Sequence, residues 1–208
     1  MRFTAVLFDR DGTVIFDRHY LSDPAGVELI PGTGEALAKL GSAGIASFLV
    51  SNQSGIGRGY FPESGWHSCQ ARLDELLEAH GAKLEDSRFC PHDPEDKCDC
   101  RKPAIGMWKS LCEAYGLEAA SCAMVGDKPE DLRFGINAGL AAAVLVLTGK
   151  GAKSAEKLGL DAEEVTRERF MAVPDGNVPA EWLEGRESPV QLFAAVDVAA
   201  AVEGLLDL

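Results

Sequence analysis

Near-continuous apolar runs recur through the first three quarters of the chain, at residues 5–8, 45–50, 122–125 and 141–147. A strand covered by helices on both faces reads this way, because every position along it is inside. Between the runs the period changes. Trp66, Cys69, Leu73, Leu76, Leu77 and His80, then Ile105, Trp108, Leu111, Cys112 and Tyr115, fall three and four apart and lay one apolar stripe along a helix. Pro31, Pro103 and Pro129 stand where a first helical turn begins, and Gly81, Gly116 and Gly139 stand near helix ends. Strand and helix in alternation predict a doubly wound α/β fold on a parallel sheet. Residues 152–189, with Pro174, Pro179, Pro189, Gly176 and Gly185 among scattered acids, keep no period and predict a loop-rich excursion. The apolar stretch 190–206 predicts a helix that returns to the same single domain, residues 1–208. No internal repeat is visible.

Right-handed crossovers bring the C-terminal ends of all parallel strands to one edge of the sheet, where such folds bind ligands. The polar residues that follow the runs should therefore meet. They are Asp9-Arg10-Asp11-Gly12-Thr13, Ser51-Asn52-Gln53-Ser54 and Gly126-Asp127-Lys128. Three carboxylates, a hydroxyl and a lysine converge.

Composition narrows the ligand. The chain has 208 residues, 46% hydrophobic and 25% charged, so it can bury a core without covalent staples. A net charge of −13 repels polyanions over most of the surface, which argues against a nucleic-acid or anionic-membrane binder but leaves room for a small anion held by local cations. No apolar run reaches the ~20 residues of a membrane span, and Asp9 breaks the first run too early for a signal peptide. A cytoplasmic protein, expected to be a monomer, fits best.

Asp9 and Asp11 lie two apart in extended chain, so both side chains point to one side, and Gly12 permits the turn that opens space above them. Adjacent carboxylates repel unless a cation or a proton intervenes, which suggests a bound metal or a division into nucleophile and acid/base; a solvated acidic turn is the plainer alternative. The spacing does not suit a calcium loop, and neither a phosphate loop nor a dinucleotide fingerprint is present. Among the six cysteines, Cys69, Cys112 and Cys122 sit in apolar stretches as small core residues. Cys90, His92, Cys98 and Cys100 instead supply three thiols and an imidazole, a closed tetrahedral set for a structural Zn²⁺. The intervening Asp93-Pro94-Glu95-Asp96-Lys97 has no apolar residue to fold it otherwise, so the metal would replace a core.

Taken together, Asp-x-Asp-Gly-Thr, a Ser after the second apolar run, Arg101-Lys102-Pro103 and Gly126-Asp127 with Asp131 following resemble the haloacid dehalogenase superfamily of aspartate-nucleophile phosphatases, over residues 1 to 150. The resemblance implies a Rossmann-like sheet with Asp9 as nucleophile and Asp11 as general acid/base. It further implies that Ser51 and Lys102 hold the transferring phosphoryl group, and that Asp9, Asp127 and the Asp11 carbonyl hold Mg²⁺. Asp131 is either a helix N-terminal charge or a site residue.

The Cys-x-His…Cys-x-Cys-Arg-Lys-Pro segment is similar to a subfamily that includes D-glycero-D-manno-heptose 1,7-bisphosphate 7-phosphatases and histidinol-phosphate phosphatases, which lack a large cap domain and set a zinc-bound loop beside the site. Residues 51–61 and Lys128 are more like the sugar phosphatases, while the short gap between His92 and Cys98 is more like the histidinol group. The resemblance implies substrate contacts from Asp17, Arg18, His19 and Tyr20 and from Asn52, Gln53 and Ser54. A second phosphate would be met by Arg101 and Lys128, with Arg58 a further candidate. The small phosphorylated sugar is the expected partner, histidinol phosphate the alternative, and a non-catalytic zinc-stabilised interaction module the reading from another class.

Overall fold

Seven strands, β1 (Ala5–Phe8), β2 (Ala46–Asn52), β3 (Asp86–Cys90), β4 (Cys122–Gly126), β5 (Ala142–Val146), β6 (Phe170–Ala172) and β7 (Gln191–Ala195), form one sheet in the order β3-β2-β1-β4-β5-β7-β6. The computed structural model describes residues 2–184 and 190–208. Pairing is parallel throughout except where β6 runs antiparallel to β7 at the edge. Along β1, Val6 and Phe8 face one core and Ala5 and Leu7 the other, so alternation of faces still gives an unbroken apolar run.

The first core is closed by α1 (Thr33–Ser42) through Leu37 and Leu40, by α3 (Glu63–Ala79) through Cys69, Leu73 and Leu77, and by α8 (Val198–Leu206) through Val198, Val202 and Leu205. The second is closed by α4 (Gly106–Tyr115), α5 (Pro129–Ala138), α6 (Gly151–Lys157) and α7 (Ala162–Glu168), with Leu111, Leu132, Ala155 and Val165 inside. A single turn, α2 (Ser54–Gly57), follows β2. Among the described residues no helix is long and apolar enough to cross a membrane.

The doubly wound parallel sheet is the one expected, and local boundaries differ for physical reasons. The stretch 190–206, expected as one helix, divides into β7 and α8, because Asp197 caps the helix by accepting from the Ala200 amide at 2.7 Å. Residues 152–184 are less loop-like than expected: α6, α7 and β6 lie there, followed by two short 3-10 turns, while Gly185 and Pro189 lie outside the described residues. Strand β3 carries Asp86, Ser87 and Arg88, which an edge position tolerates. Pro129 does open α5, whereas α4 begins at Gly106, beyond Pro103.

Among the described residues no large cap interrupts the strands. After the turn at Gly12 the chain makes a short excursion and returns, with Phe16 donating to the Glu28 carbonyl at 3.1 Å and Ile30 to that of Val14 at 3.1 Å. Residues 17–20 sit on this flap. Register then sets the site: Phe8 pairs with Leu49 on one side and Val125 on the other, so residue 9 emerges between the ends of β2 and β4.

Candidate active site

A cavity of about 760 Å³ opens at that edge, with Asp9, Asp11, Ser51, Lys102, Lys128 and Asp131 among its lining. The Asp9 amide continues the ladder to the Val125 carbonyl at 2.9 Å, and its carboxylate is buried at 3% exposure. Lys102 Nζ lies 2.8 Å from Asp9 Oδ1, and Lys128 Nζ lies 3.0 Å from Asp9 Oδ2. Burial alone would raise the Asp9 pKa; the two ammonium groups outweigh it and hold the carboxyl well below the usual range. Asp9 is therefore ionised.

Each lysine is itself aimed. Lys102 Nζ also donates to the Val50 carbonyl at 2.7 Å and pairs with Asp131 at 2.7 Å. Its backbone is clamped by Asn52, whose Oδ1 accepts from the Lys102 amide at 2.9 Å and whose Nδ2 donates to the Lys102 carbonyl at 3.1 Å. Lys128 Nζ reaches Asp127 Oδ1 at 2.7 Å and the Asp11 carbonyl at 3.1 Å. Burial opposes the charge on both lysines, and the surrounding carboxylates raise their pKa values regardless. Asp131 Oδ2 accepts from the Lys128 amide at 3.0 Å, so Asp131 is at once a helix N-terminal acid and a partner of Lys102.

Asp9, Asp127 and Asp131 thus face only two ammonium groups, and the excess negative charge appears on Asp127, whose pKa burial and then the Asp9 charge push up to about 7. This donor set fits a divalent cation. Two carboxylate oxygens and the Asp11 carbonyl already converge on one cationic atom, Lys128 Nζ. The backbone leaves room for it: Gly12 (φ +91°) and Gly149 (φ +56°) both back onto Asp127, and a Cβ on either would run into its Oδ2. Thr148, donating to the Gly12 carbonyl at 2.7 Å, and Lys150, whose amide donates to Asp127 Oδ2 at 2.8 Å, complete this wall. Neither was singled out from sequence, although both follow β5 at the same edge and the strand-end rule applies to them.

Asp11 is half-buried and held by three donors, Arg10 Nε at 3.1 Å and Gln53 Nε2 at 2.8 Å on Oδ2, and Arg10 Nη2 at 3.3 Å on Oδ1. Gln53 Nε2 also donates to the buried Ser51 hydroxyl at 2.8 Å. Asn52 and Gln53, expected as substrate contacts, therefore spend their amide groups on Lys102, Asp11 and Ser51. Ser54, Asp17, His19 and Tyr20 line the cleft, with Asp17 accepting from the His19 amide at 3.0 Å. Arg18 points elsewhere: it is exposed and pairs with Glu28 at 2.6 Å. Arg58 pairs with Asp93 at 2.7 Å, and Arg101 lines the cleft with Nη1 buried and unpartnered among the described residues.

Beside the cleft, the metal-ligating atoms of Cys90, His92, Cys98 and Cys100 lie within 4.8 Å of one another. The Cys90–Cys98 and Cys98–Cys100 sulfurs are 3.4 Å apart, and His92 Nδ1 is 3.6 Å from Cys90 Sγ and 3.2 Å from Cys100 Sγ. A tetrahedral zinc with bonds of about 2.3 Å to sulfur needs edges of about 3.8 Å, so small movements suffice. Burial pushes the Cys90 thiol up. Cys98, despite some burial, is drawn down to about 7 by the Arg101 amide and neighbouring thiols. The donors fit the metal.

An ionised aspartate at the end of β1, cradled by lysines beneath a second aspartate two residues on, defines a hydrolase of the haloacid dehalogenase type. The family model described as "HAD-hyrolase-like" matches residues 99–168. The D-glycero-beta-D-manno-heptose-1,7-bisphosphate 7-phosphatase of Haemophilus ducreyi is 42% identical over 153 residues, covering 70% of this chain and 84% of its own length. Its namesake from Pseudomonas putida is 38% identical over 153 residues, covering 73% and 87%. The crystal structure of D,D-heptose 1,7-bisphosphate phosphatase from B. bronchiseptica, complexed with magnesium and phosphate, aligns with a TM-score of 0.78 at 30% identity, covering 100% of this chain and 99% of that one. The chain belongs to this family of heptose-bisphosphate phosphatases, phosphoric monoester hydrolases of the haloacid dehalogenase superfamily.

The Asn52 clamp has a measurable consequence. Asn52→Ala leaves the Lys102 amide and carbonyl without partners, which costs about 1–3 kcal/mol of stability, read by thermal unfolding. Turnover should fall as Lys102 loosens, with KM little changed; a rise in KM at unchanged kcat and stability would instead mark Asn52 as a substrate contact.

Proposed function

We propose that this chain hydrolyses the 7-phosphate of D-glycero-D-manno-heptose 1,7-bisphosphate through a phosphoryl group carried on Asp9. The observation that carries the chemistry is the Asp9 carboxylate itself, buried yet held ionised between Lys102 and Lys128 on the cleft floor. The named activity of relatives that share most of their length with this chain supports the substrate.

One Asp9 oxygen attacks phosphorus as the sugar oxygen departs. Lys102 and the Ser51 hydroxyl meet the charge on the equatorial phosphoryl oxygens, which is where phosphoryl transfer needs positive groups. Asp11 protonates the departing alkoxide and then takes a proton from the water that hydrolyses the acyl phosphate, regenerating Asp9. Asp9, Asp127 and the Asp11 carbonyl would hold Mg²⁺, which neutralises phosphoryl charge when bound. Lys128 Nζ touches the same three oxygens and is a further cation for a substrate oxygen. Arg101, which lines the cleft, is the group we assign to the remote 1-phosphate, with Asp17, His19 and Tyr20 on the sugar. Zn²⁺ at Cys90, His92, Cys98 and Cys100 would be structural, fixing the chain just before Arg101 and Lys102. The enzyme acts as a cytoplasmic monomer.

Steady-state kinetics with Mg²⁺ should give a higher kcat/KM for heptose 1,7-bisphosphate than for histidinol phosphate, and Asp9→Asn should bind the sugar without turning it over. A preference for histidinol phosphate would transfer the assignment to that substrate, and near-normal turnover by Asp9→Asn would end the covalent mechanism.

Purified protein should carry about one zinc per chain, since all four ligand positions are protein atoms. Cys98→Ser or Cys100→Ser should lower both metal content by elemental analysis and thermal stability. A stable, active preparation free of zinc would contradict the structural role.

A further inference from the structure

The least explained charge near the site belongs to Arg10, the largest fully buried side chain among the described residues, at 1% exposure. Its partner is Asp11, and its Nη1 is buried with no hydrogen-bond partner among the described residues. Its guanidinium carbon lies 6.0 Å from the centre of the Trp66 ring, which is itself stacked on Phe89 at 4.0 Å. As a stabilising device this is poor, because burying an ion pair consumes most of its attraction in desolvation and an unpartnered donor adds to the cost.

As a positioning device it is well made. A guanidinium fork fixes the plane of a carboxylate, and the Trp66 ring, itself stacked on Phe89, gives the fork an aromatic surface to lie against. Gln53 adds the third bond from the β2 side, so Asp11 Oδ2 accepts two bonds and Oδ1 one. Oδ1 keeps the greater free capacity, and Asp11 lines the cleft.

We propose that Arg10 is a positioning residue for proton transfer: backed by Trp66, it locks the Asp11 carboxylate so that one oxygen is presented to the leaving group. This rests on the reading of Asp11 as general acid, and the test separates the two. Because Asp11 also serves as base in the dephosphorylation step common to all esters, the first half-reaction is read alone: a merely structural role would slow phosphoryl transfer to Asp9 from every ester alike, whereas loss of proton delivery slows it only for esters whose leaving oxygen needs a proton.

The experiment compares heptose 1,7-bisphosphate, an alkyl ester, with p-nitrophenyl phosphate, whose leaving group departs unprotonated, for Arg10→Lys and Asp11→Asn. Arg10→Lys keeps the charge but loses the fork. In single-turnover release of the leaving group it should lose about 10–100-fold on the sugar phosphate, part of the 10²–10⁴ that general acid–base catalysis contributes, and no more than about threefold on p-nitrophenyl phosphate. Asp11→Asn should show the same selectivity more strongly. If Asp11→Asn is selective and folded Arg10→Lys is not, the positioning role is wrong and the general-acid reading stands. If Asp11→Asn itself loses equally on both esters, the general-acid reading fails first. Should Arg10→Lys not unfold cooperatively, Arg10→Gln, which buries no charge and keeps one donor, is read against the same two esters with the same criteria.

Discussion

The molecule is organised around one electrostatic imbalance: Asp9, Asp127 and Asp131 are buried together against two ammonium groups, Lys102 and Lys128. Desolvation penalises each carboxylate, and only Asp9, which touches both lysines, escapes with a depressed pKa, while Asp127 and Asp131 are raised. The arrangement places an ionised carboxylate beside a carboxylate whose surplus charge asks for a cation. Asp11 stands apart from the imbalance because Arg10 neutralises it locally.

Holding such a cluster requires the rest of the fold. The parallel register of β1 between β2 and β4 delivers Asp9, Ser51 and Asp127 to one edge without any loop having to reach. Lys102 comes from a connection instead, and it is tied by Asn52 to the end of β2 and by the Cys90, His92, Cys98 and Cys100 cluster to the end of β3. Errors of about 1 Å in such a group are costly to catalysis, and a cluster of four groups able to hold a metal lies immediately upstream of a lysine that supplies charge. The glycines at 12 and 149 let two backbone segments close on Asp127.

Much of this was legible in the chain. Apolar runs mark β1, β2, β4 and β5, and the rule that ligands bind at strand ends brings Asp9, Ser51 and Asp127 together. What was not legible depended on contacts distant in sequence. Asn52 lies 50 residues from the Lys102 backbone that it clamps, and no local pattern says whether an amide faces a ligand or a neighbouring strand. Arg18 looked like a substrate group by position, yet Glu28, ten residues on across the flap, takes it. The edge strand β3 is polar enough to hide from a search for apolar runs, and β7 was absorbed into a helix because Leu192, Phe193 and Val196 also suit a helical period.

The proposed chemistry requires that phosphate be carried covalently by Asp9. Rapid acid quench during turnover of a labelled phosphate ester, followed by peptide mapping, tests it directly. The account predicts label on the peptide containing Asp9, formed and lost at rates no slower than turnover, and none when Asp9 is replaced by Asn. Full turnover with no labelled peptide at any quench time, or label on a different residue, would contradict it.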